Sequence, residues 1–194
     1  MILKKMAETG IGEFMNGTVI LVDENDHSNG TITKQAAHQQ PLLHRAYSIL
    51  IFRSNGELIL QQRALHKYHS AGLWSNTCCS HPLPGLPTQR CANSRLKEEM
   101  GIDTPLTEIG TLSYHLKLAD DLFESEFNHV FCGHSDALPI PNNEEVVDWQ
   151  TMTLEQLGNE IQNQPELYSA WLPLILTELA EPLDHFIANL KAEN

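Results

Sequence analysis

Between residues 74 and 82 the chain reads Trp74-Ser75-Asn76-Thr77-Cys78-Cys79-Ser80-His81-Pro82, where side chains able to do chemistry are densest. A cysteine two residues before a histidine fits a metal ligand, a nucleophile or a proton-transferring thiol. The plainer alternative is a buried, inert cysteine beside a capping histidine. No Cys-x-x-Cys pair occurs, which argues against a thiolate-rich structural zinc site. Two more histidines, His38 and His44, sit six apart, a spacing that fits a loop entering a strand. Farther on comes Phe123-Glu124-Ser125-Glu126-Phe127. On a strand, residues two apart share a face, so both carboxylates point one way and the phenylalanines the other. If the carboxylates face solvent, this is ordinary amphipathic alternation. If they face inward, two like charges so close require a cation. His38, His44, His81, Glu124 and Glu126 would then make a three-imidazole, two-carboxylate set that suits Zn²⁺, Mn²⁺ or Mg²⁺.

A further segment, Ser94-Arg95-Leu96-Lys97-Glu98-Glu99-Met100-Gly101-Ile102, places Arg95 and Glu99 one helical turn apart. Taken alone, that is a surface ion pair worth a few tenths of a kcal/mol. Its Glu-Glu-x-Gly-apolar ending also resembles the tail of the Nudix box. The match is partial: the box's upstream glycine and glutamate fall on Ser80 and Leu86, and Ser94-Arg95 stands for its Arg-Glu. A diphosphate hydrolase of that class needs those carboxylates for its metals, so hydrolysis is disfavoured.

These residues need elements to hold them. Thr18 to Asp23 reads as a strand, with Asn29-Gly30 as the following turn. Ala46 to Phe52 and Glu57 to Gln62 read as antiparallel strands about the turn Ser54-Asn55-Gly56. Residues 63–88 hold Gly, Pro, His and Trp without period, and loops this long in a domain are usually functional. Arg90 to Met100 repeats apolar residues at helical spacing and stops at Gly101. Thr111 to Leu118 and Leu122 to Gly133 form a long hairpin about Asp120-Asp121. Val146 to Met152 is a strand, and Leu154 to Gln164 and Ala170 to Leu190 are helical, the latter interrupted by Pro173 and Pro182. This order implies an α+β fold, with residues 1–17 a loose arm and 18–194 a single domain.

Composition sets the outer bounds. The chain has 194 residues, 41% hydrophobic and 19% charged, so it can bury a core without disulfides. Its formal charge of −13 disfavours nucleic acid and anionic membranes as partners. A phosphorylated ligand would need a local basic patch or metal ions. The start shows no apolar segment of a secretory signal, and no run approaches a membrane span, so a cytoplasmic protein with reduced thiols is expected.

Together these segments resemble one family, the type I isopentenyl diphosphate isomerases, which have a Nudix-like fold with a degenerate box. The resemblance runs from about Thr18 to Ile175. It is carried by Lys34-x-x-x-His38, Leu43-His44, Arg63-Ala64-Leu65-His66-Lys67, Trp74 to Pro82, Glu98 to Gly101, Tyr114, Glu124-Ser125-Glu126 and Ser169-Ala170-Trp171. It implies a Nudix-like mixed or antiparallel sheet with flanking helices. The implied reaction interconverts isopentenyl and dimethylallyl diphosphate by protonation and deprotonation. His38, His44, His81, Glu124 and Glu126 match the family's metal ligands, for one Mn²⁺, Zn²⁺ or Mg²⁺. Cys79 and Glu126 match its two catalytic groups. Glu99 matches the ligand of a second, diphosphate-linked Mg²⁺. Lys34, Arg63, Lys67 and Arg95 match diphosphate-binding positions, and Tyr114 and Trp171 match residues beside the reacting carbons. The expected partner is a small diphosphate, with the chain a monomer or weak homodimer. Ser80 stands where the family usually has glycine, which matters only if that position needs a positive φ. Two rivals are a Nudix-type hydrolase and a non-catalytic module whose His/Glu site only holds the fold together.

Overall fold

Strand β3 (His44–Phe52) is buried along nearly its whole length. Its alternate residues Tyr47, Ile49 and Ile51 enter one apolar cluster while Leu50 and Phe52 enter another. A strand apolar on both faces must be covered on both sides, so it belongs at the centre of a layered fold. A computed structural model of the chain describes residues 17–118 and 121–192, and in it β3 is that centre. The proposed arm therefore lies outside the described residues except for Gly17, as does Asp120 of the hairpin turn.

Among the described residues, nine strands form one mixed sheet. β1 (Thr18–Val22) pairs with β2 (Ser28–Thr33) and touches β3 at Leu21↔His44. β4 (Leu58–Arg63) carries β5 (Trp74–Ser75) and β9 (Val146–Met152) as antiparallel neighbours. β6 (Cys78–Ser80) runs antiparallel to β3, with Ser48 opposite Cys79. β7 (Thr107–Lys117) and β8 (Phe123–His134) make the long hairpin. The β3–β8 pairing is parallel and sets His44 beside Glu126.

Helices cover both faces. α2 (Thr88–Met100) buries Cys91, Ala92, Leu96 and Met100 against Tyr47, Ile49, Ile51 and Phe131. On the other face, α3 (Leu154–Asn163), α4 (Leu172–Glu178) and α5 (Ala180–Ala192) contribute Leu157, Leu172, Ile175, Leu183 and Leu190. The capping box Thr153–Gln156 starts α3. The run expected from Ala170 to Leu190 is two helices meeting at Leu179. Its prolines do not break either one, because each lies in a first turn, where no intrahelical donor is lost. The sequence did not forecast the short α1 (Lys34–Gln39), capped by Thr33, the two short strands inside residues 63–88, or β2, within which the expected Asn29-Gly30 turn lies as paired strand. β3 also begins two residues earlier than its apolar run suggests, so His44 stands on the strand itself. Among the described residues, no helix is long and apolar enough to cross a membrane.

Gly101 closes α2 in the left-handed conformation (φ 68°), with its N–H bonded to the Lys97 carbonyl. An added Cβ would lie 2.9 Å from the carbonyl oxygen of Ile140. Gly101→Ala is expected to cost about 1–2 kcal/mol from backbone strain alone, with the close approach adding to it. Denaturant unfolding checks this; an unchanged midpoint would mean the Ile140 segment yields freely.

Candidate active site

The site lies at one end of the sheet, on the face covered by α4 and α5. The even residues of β3 and β8 point there, which brings His44, Ser48, Glu124, Glu126 and Asn128 onto one surface. The carboxylate face of β8 is thus the interior face: Glu124 and Glu126 are buried, whereas Phe123 and Phe127 are only partly so. Simple solvent-facing alternation is excluded. α1 supplies His38, and the residue following β6 supplies His81.

The donor atoms converge. His38 Nε2 is 3.2 Å from Glu124 Oε2, His81 Nε2 is 3.0 Å from Glu126 Oε1, and His44 Nε2 is 3.1 Å from His81 Nε2. His44 Nε2 also lies 3.7 Å from Glu126 Oε1. His44 Nδ1 donates to the Leu42 carbonyl at 2.8 Å, leaving its Nε2 lone pair for a ligand. His38 Nδ1 is fixed by the Tyr68 hydroxyl at 2.6 Å. Burial, then the neighbouring His44 and Lys34, pulls His38 down to about 4. Burial likewise takes His81 to about 3, so both rings are neutral and ready to ligate at neutral pH. Burial and the charge of Glu126 push Glu124 well above the ordinary carboxylate range. Glu126 is buried too, but the hydrogen bond from His81 holds it below that range. Two buried carboxylates among neutral imidazoles fit a divalent cation: it would supply the charge that the pair lacks.

Beside this cluster is a narrow pocket of about 30 Å³, lined by Cys79, Glu126, Tyr114, Trp171, Arg63 and His69, among others. That is room for a water or two. Tyr114 donates to Glu126 Oε2 at 2.5 Å and receives the Asn128 amide at 2.8 Å. Trp171 donates to Asn76 Oδ1 at 3.1 Å, and the Arg63 guanidinium lies over its ring at 5.3 Å. Arg63 Nη1 also reaches Cys79 Sγ at 3.8 Å. Burial, only partly offset by Arg63, lifts the Cys79 thiol to about 11, so it keeps its proton at neutral pH. Cys78, the neighbour on the strand, turns into the α2-side core instead. Ser80 is absent from the positive-φ positions and sits in regular strand, so that position has no need of glycine.

A groove of about 470 Å³ shares Lys34, Tyr47, Ser80 and His81 with the pocket and is lined further by Arg90, Arg95, Glu98 and Glu145. Arg95 is shared among Glu98 (2.9 Å), Glu99 (2.7 Å) and Glu145 (2.8 Å). Lys67 lines neither cavity; its ammonium is bound to Glu145. Glu99 is buried against Arg95 and Gln61, apart from the His/Glu cluster. Sequence reasoning missed Tyr68, His69, Asn76, Asn128 and Glu145. The first two adjoin Arg63-to-Lys67 in a loop with no period to follow, and the others are polar residues whose partners are distant in sequence.

The chain matches the NUDIX domain family model over residues 42–173. It is 48% identical to isopentenyl-diphosphate Delta-isomerase 2 of Aromatoleum aromaticum over 84% of this chain and 86% of that one. The corresponding enzyme of Pectobacterium atrosepticum is 45% identical over 84% and 91%. Among solved structures, DR0079 from Deinococcus radiodurans superposes with a TM-score of 0.72 at 19% identity, covering 84% of this chain and 98% of that one, a likeness of fold. With a mixed sheet, flanking helices and this extent of identity, the chain belongs to the isopentenyl-diphosphate Delta-isomerases, a family built on the NUDIX domain.

Proposed function

We propose that this site interconverts isopentenyl diphosphate and dimethylallyl diphosphate, with Cys79 and Glu126 as the proton-transferring pair. The observation that carries the assignment is the placing of a protonated thiol and a carboxylate on the wall of one narrow pocket. Moving a double bond requires one proton added at carbon and one removed from another carbon, so two acid/base groups are the minimum. The reaction is reversible, and each group is acid in one direction and base in the other. Tyr114 donates to the Glu126 carboxylate, which keeps its oxygens aimed while it exchanges a proton. Substrate carbons filling a pocket with room for only a water or two would displace the water that could capture a tertiary cation.

His38, His44, His81, Glu124 and Glu126 would hold a Mn²⁺, Zn²⁺ or Mg²⁺ ion. When bound, that ion supplies fixed positive charge beside Glu126, making its ionised form less costly to bury. The diphosphate is assigned to the groove and the adjoining pocket, with Lys34 and Arg63 on their walls as cations, joined, once freed from Glu145, by Arg95 and by Lys67, which lines neither cavity. The last two must exchange their Glu145 contacts for phosphate oxygens. Glu99, beside Arg95, is the side chain assigned to the diphosphate-linked Mg²⁺. Because one sheet and the helices and loops packed on it bring these groups together, residues 18–194 are assigned to a single catalytic domain. Incubation with isopentenyl diphosphate and Mg²⁺ in D₂O, followed by NMR, tests the activity: dimethylallyl diphosphate carrying deuterium supports it, and free phosphate would support a hydrolase.

Trp171 adds a second test. Its ring lines the pocket and already faces one cation, Arg63, and a developing carbocation gains about 2 kcal/mol from such a face when desolvated. Trp171→Phe is expected to keep partial activity and Trp171→Leu to lose far more. Trp171 is buried and donates to Asn76 Oδ1, which also accepts from the Ser75 hydroxyl, so both variants should lose the net worth of one hydrogen bond, about 0.5–1.5 kcal/mol, besides packing. Rates are therefore compared well below the melting transitions; equal rates for the two would reduce the ring to packing.

A further inference from the structure

Arg90, Cys91, Ser94, Arg95 and Glu98 of α2 all line the groove. At that spacing they share one helical face, so this face forms a wall of the groove. Arg90 stands nearest the start of the helix, about 7.5 Å along its axis from Arg95. It is exposed and makes no hydrogen bond or ion pair among the described residues. Arg95 is the opposite case, divided among Glu98, Glu99 and Glu145.

The groove's charged lining is Lys34, Arg90 and Arg95 against Glu98 and Glu145, with Glu99 held on Arg95. Without Arg90 the carboxylates would outnumber the cations, in a chain whose formal charge is −13. An anion carrying several charges enters such a groove only if cations are free to meet it. Arg95 and Lys67 must each leave Glu145 first, whereas Arg90 gives up no ion pair. An arginine fork also matches phosphate oxygens with parallel hydrogen bonds.

The overlap of the two cavities orders the ligand between them. Lys34, Tyr47, Ser80 and His81 line both, so they mark the neck where pocket meets groove. With the carbon chain in the pocket beside Cys79 and Glu126, the first phosphate falls at this neck and the second lies beyond it. Arg90 lines the groove alone. We propose that Arg90 binds the terminal phosphate of the substrate, while Lys34 serves the phosphate at the neck. This rests on the isomerase reading above and assigns a further binding residue to it.

The test measures KM and kcat for isopentenyl diphosphate, and inhibition by isopentenyl monophosphate, in the full chain with Mg²⁺. Arg90→Ala is expected to raise KM about tenfold, the loss of one charge-assisted hydrogen bond, with kcat little changed. Arg90→Lys keeps the charge without the fork and should recover part of that affinity. Lys97→Ala removes the same charge from a part of α2 that lines neither cavity and should match wild type. The monophosphate has no terminal phosphate to reach Arg90, so it should inhibit wild type and Arg90→Ala alike. Arg90→Gln is read in the same way if circular dichroism shows the alanine variant unfolded. An unchanged KM in a folded Arg90 variant overturns the proposal, and so does an equal weakening of monophosphate and diphosphate. Wild type that leaves isopentenyl diphosphate unconverted overturns the isomerase reading itself.

Discussion

Cys79→Ala is expected to lower the isomerisation rate by about 10²-fold or more, the usual size of an acid/base contribution, while Cys78→Ala remains active. The two thiols are adjacent in sequence and opposite in surroundings. β6 is extended and paired with β3, so its side chains alternate. Cys79 lines the pocket with Glu126 and His81, whereas Cys78 packs with Ile49, Leu96 and Met100. Trimming Cys78 should therefore cost about 1 kcal/mol of stability and little rate. Cys79→Ser should also be poor, because a hydroxyl is a far weaker acid than a thiol. The thiol is lifted to about 11, chiefly by burial. Alkylation should consequently be slow at pH 7 and rise about tenfold per pH unit toward pH 9, since only the thiolate attacks. Substrate should slow it further. Steady-state rates of both alanine variants decide the matter: an active Cys79→Ala beside a dead Cys78→Ala would put the proton-transfer thiol on the other face of β6.

Glu124→Gln and His38→Ala are each expected to remove most bound metal and with it most activity. Glu124 Oε2 and His38 Nε2 are 3.2 Å apart, so each variant deletes a donor from the middle of the cluster. Glutamine keeps the shape and loses the charge. It also removes the burial cost and the repulsion from Glu126 that together push Glu124 up, so the metal-free variant should be no less stable than metal-free wild type. The difference should appear on adding Mn²⁺. Ligand at a hundred times its Kd stabilises a folded protein by about 2.7 kcal/mol, and wild type should show that rise in melting temperature while Glu124→Gln shows little. Metal analysis of the purified proteins gives the direct count. Full metal content in both variants would remove Glu124 and His38 from the ligand set.

Much of this protein is legible in its residues. The α2 stop at Gly101, the strand runs from 46 to 62 and from 146 to 152, and the hairpin around residue 120 all follow from local period and turn chemistry. The resemblance carried by Cys79-Ser80-His81, Glu124-Ser125-Glu126 and Ser169-Ala170-Trp171 points to the reaction class without any tertiary contact. These are local signals, and local physics writes them plainly.

What the residues alone left open depends on contacts across the chain. Whether Glu124 and Glu126 face solvent or core is a question about what covers β8, and a period of two reads the same either way. The parallel registration of β3 and β8, which sets His44 beside Glu126, joins segments about 80 positions apart. No pattern within either strand specifies it. The same holds for Arg95, whose neighbour on the helix is Glu99 but whose third partner, Glu145, comes from the approach to β9. His69 shows the limit most clearly. In sequence it is one histidine of ten in an aperiodic loop; folded, it is an unpaired buried nitrogen 3.4 Å from Glu124. Residue types determined which chemistries were available to this chain, and the sheet's non-local pairing decided which side chains share one small pocket where those chemistries can act.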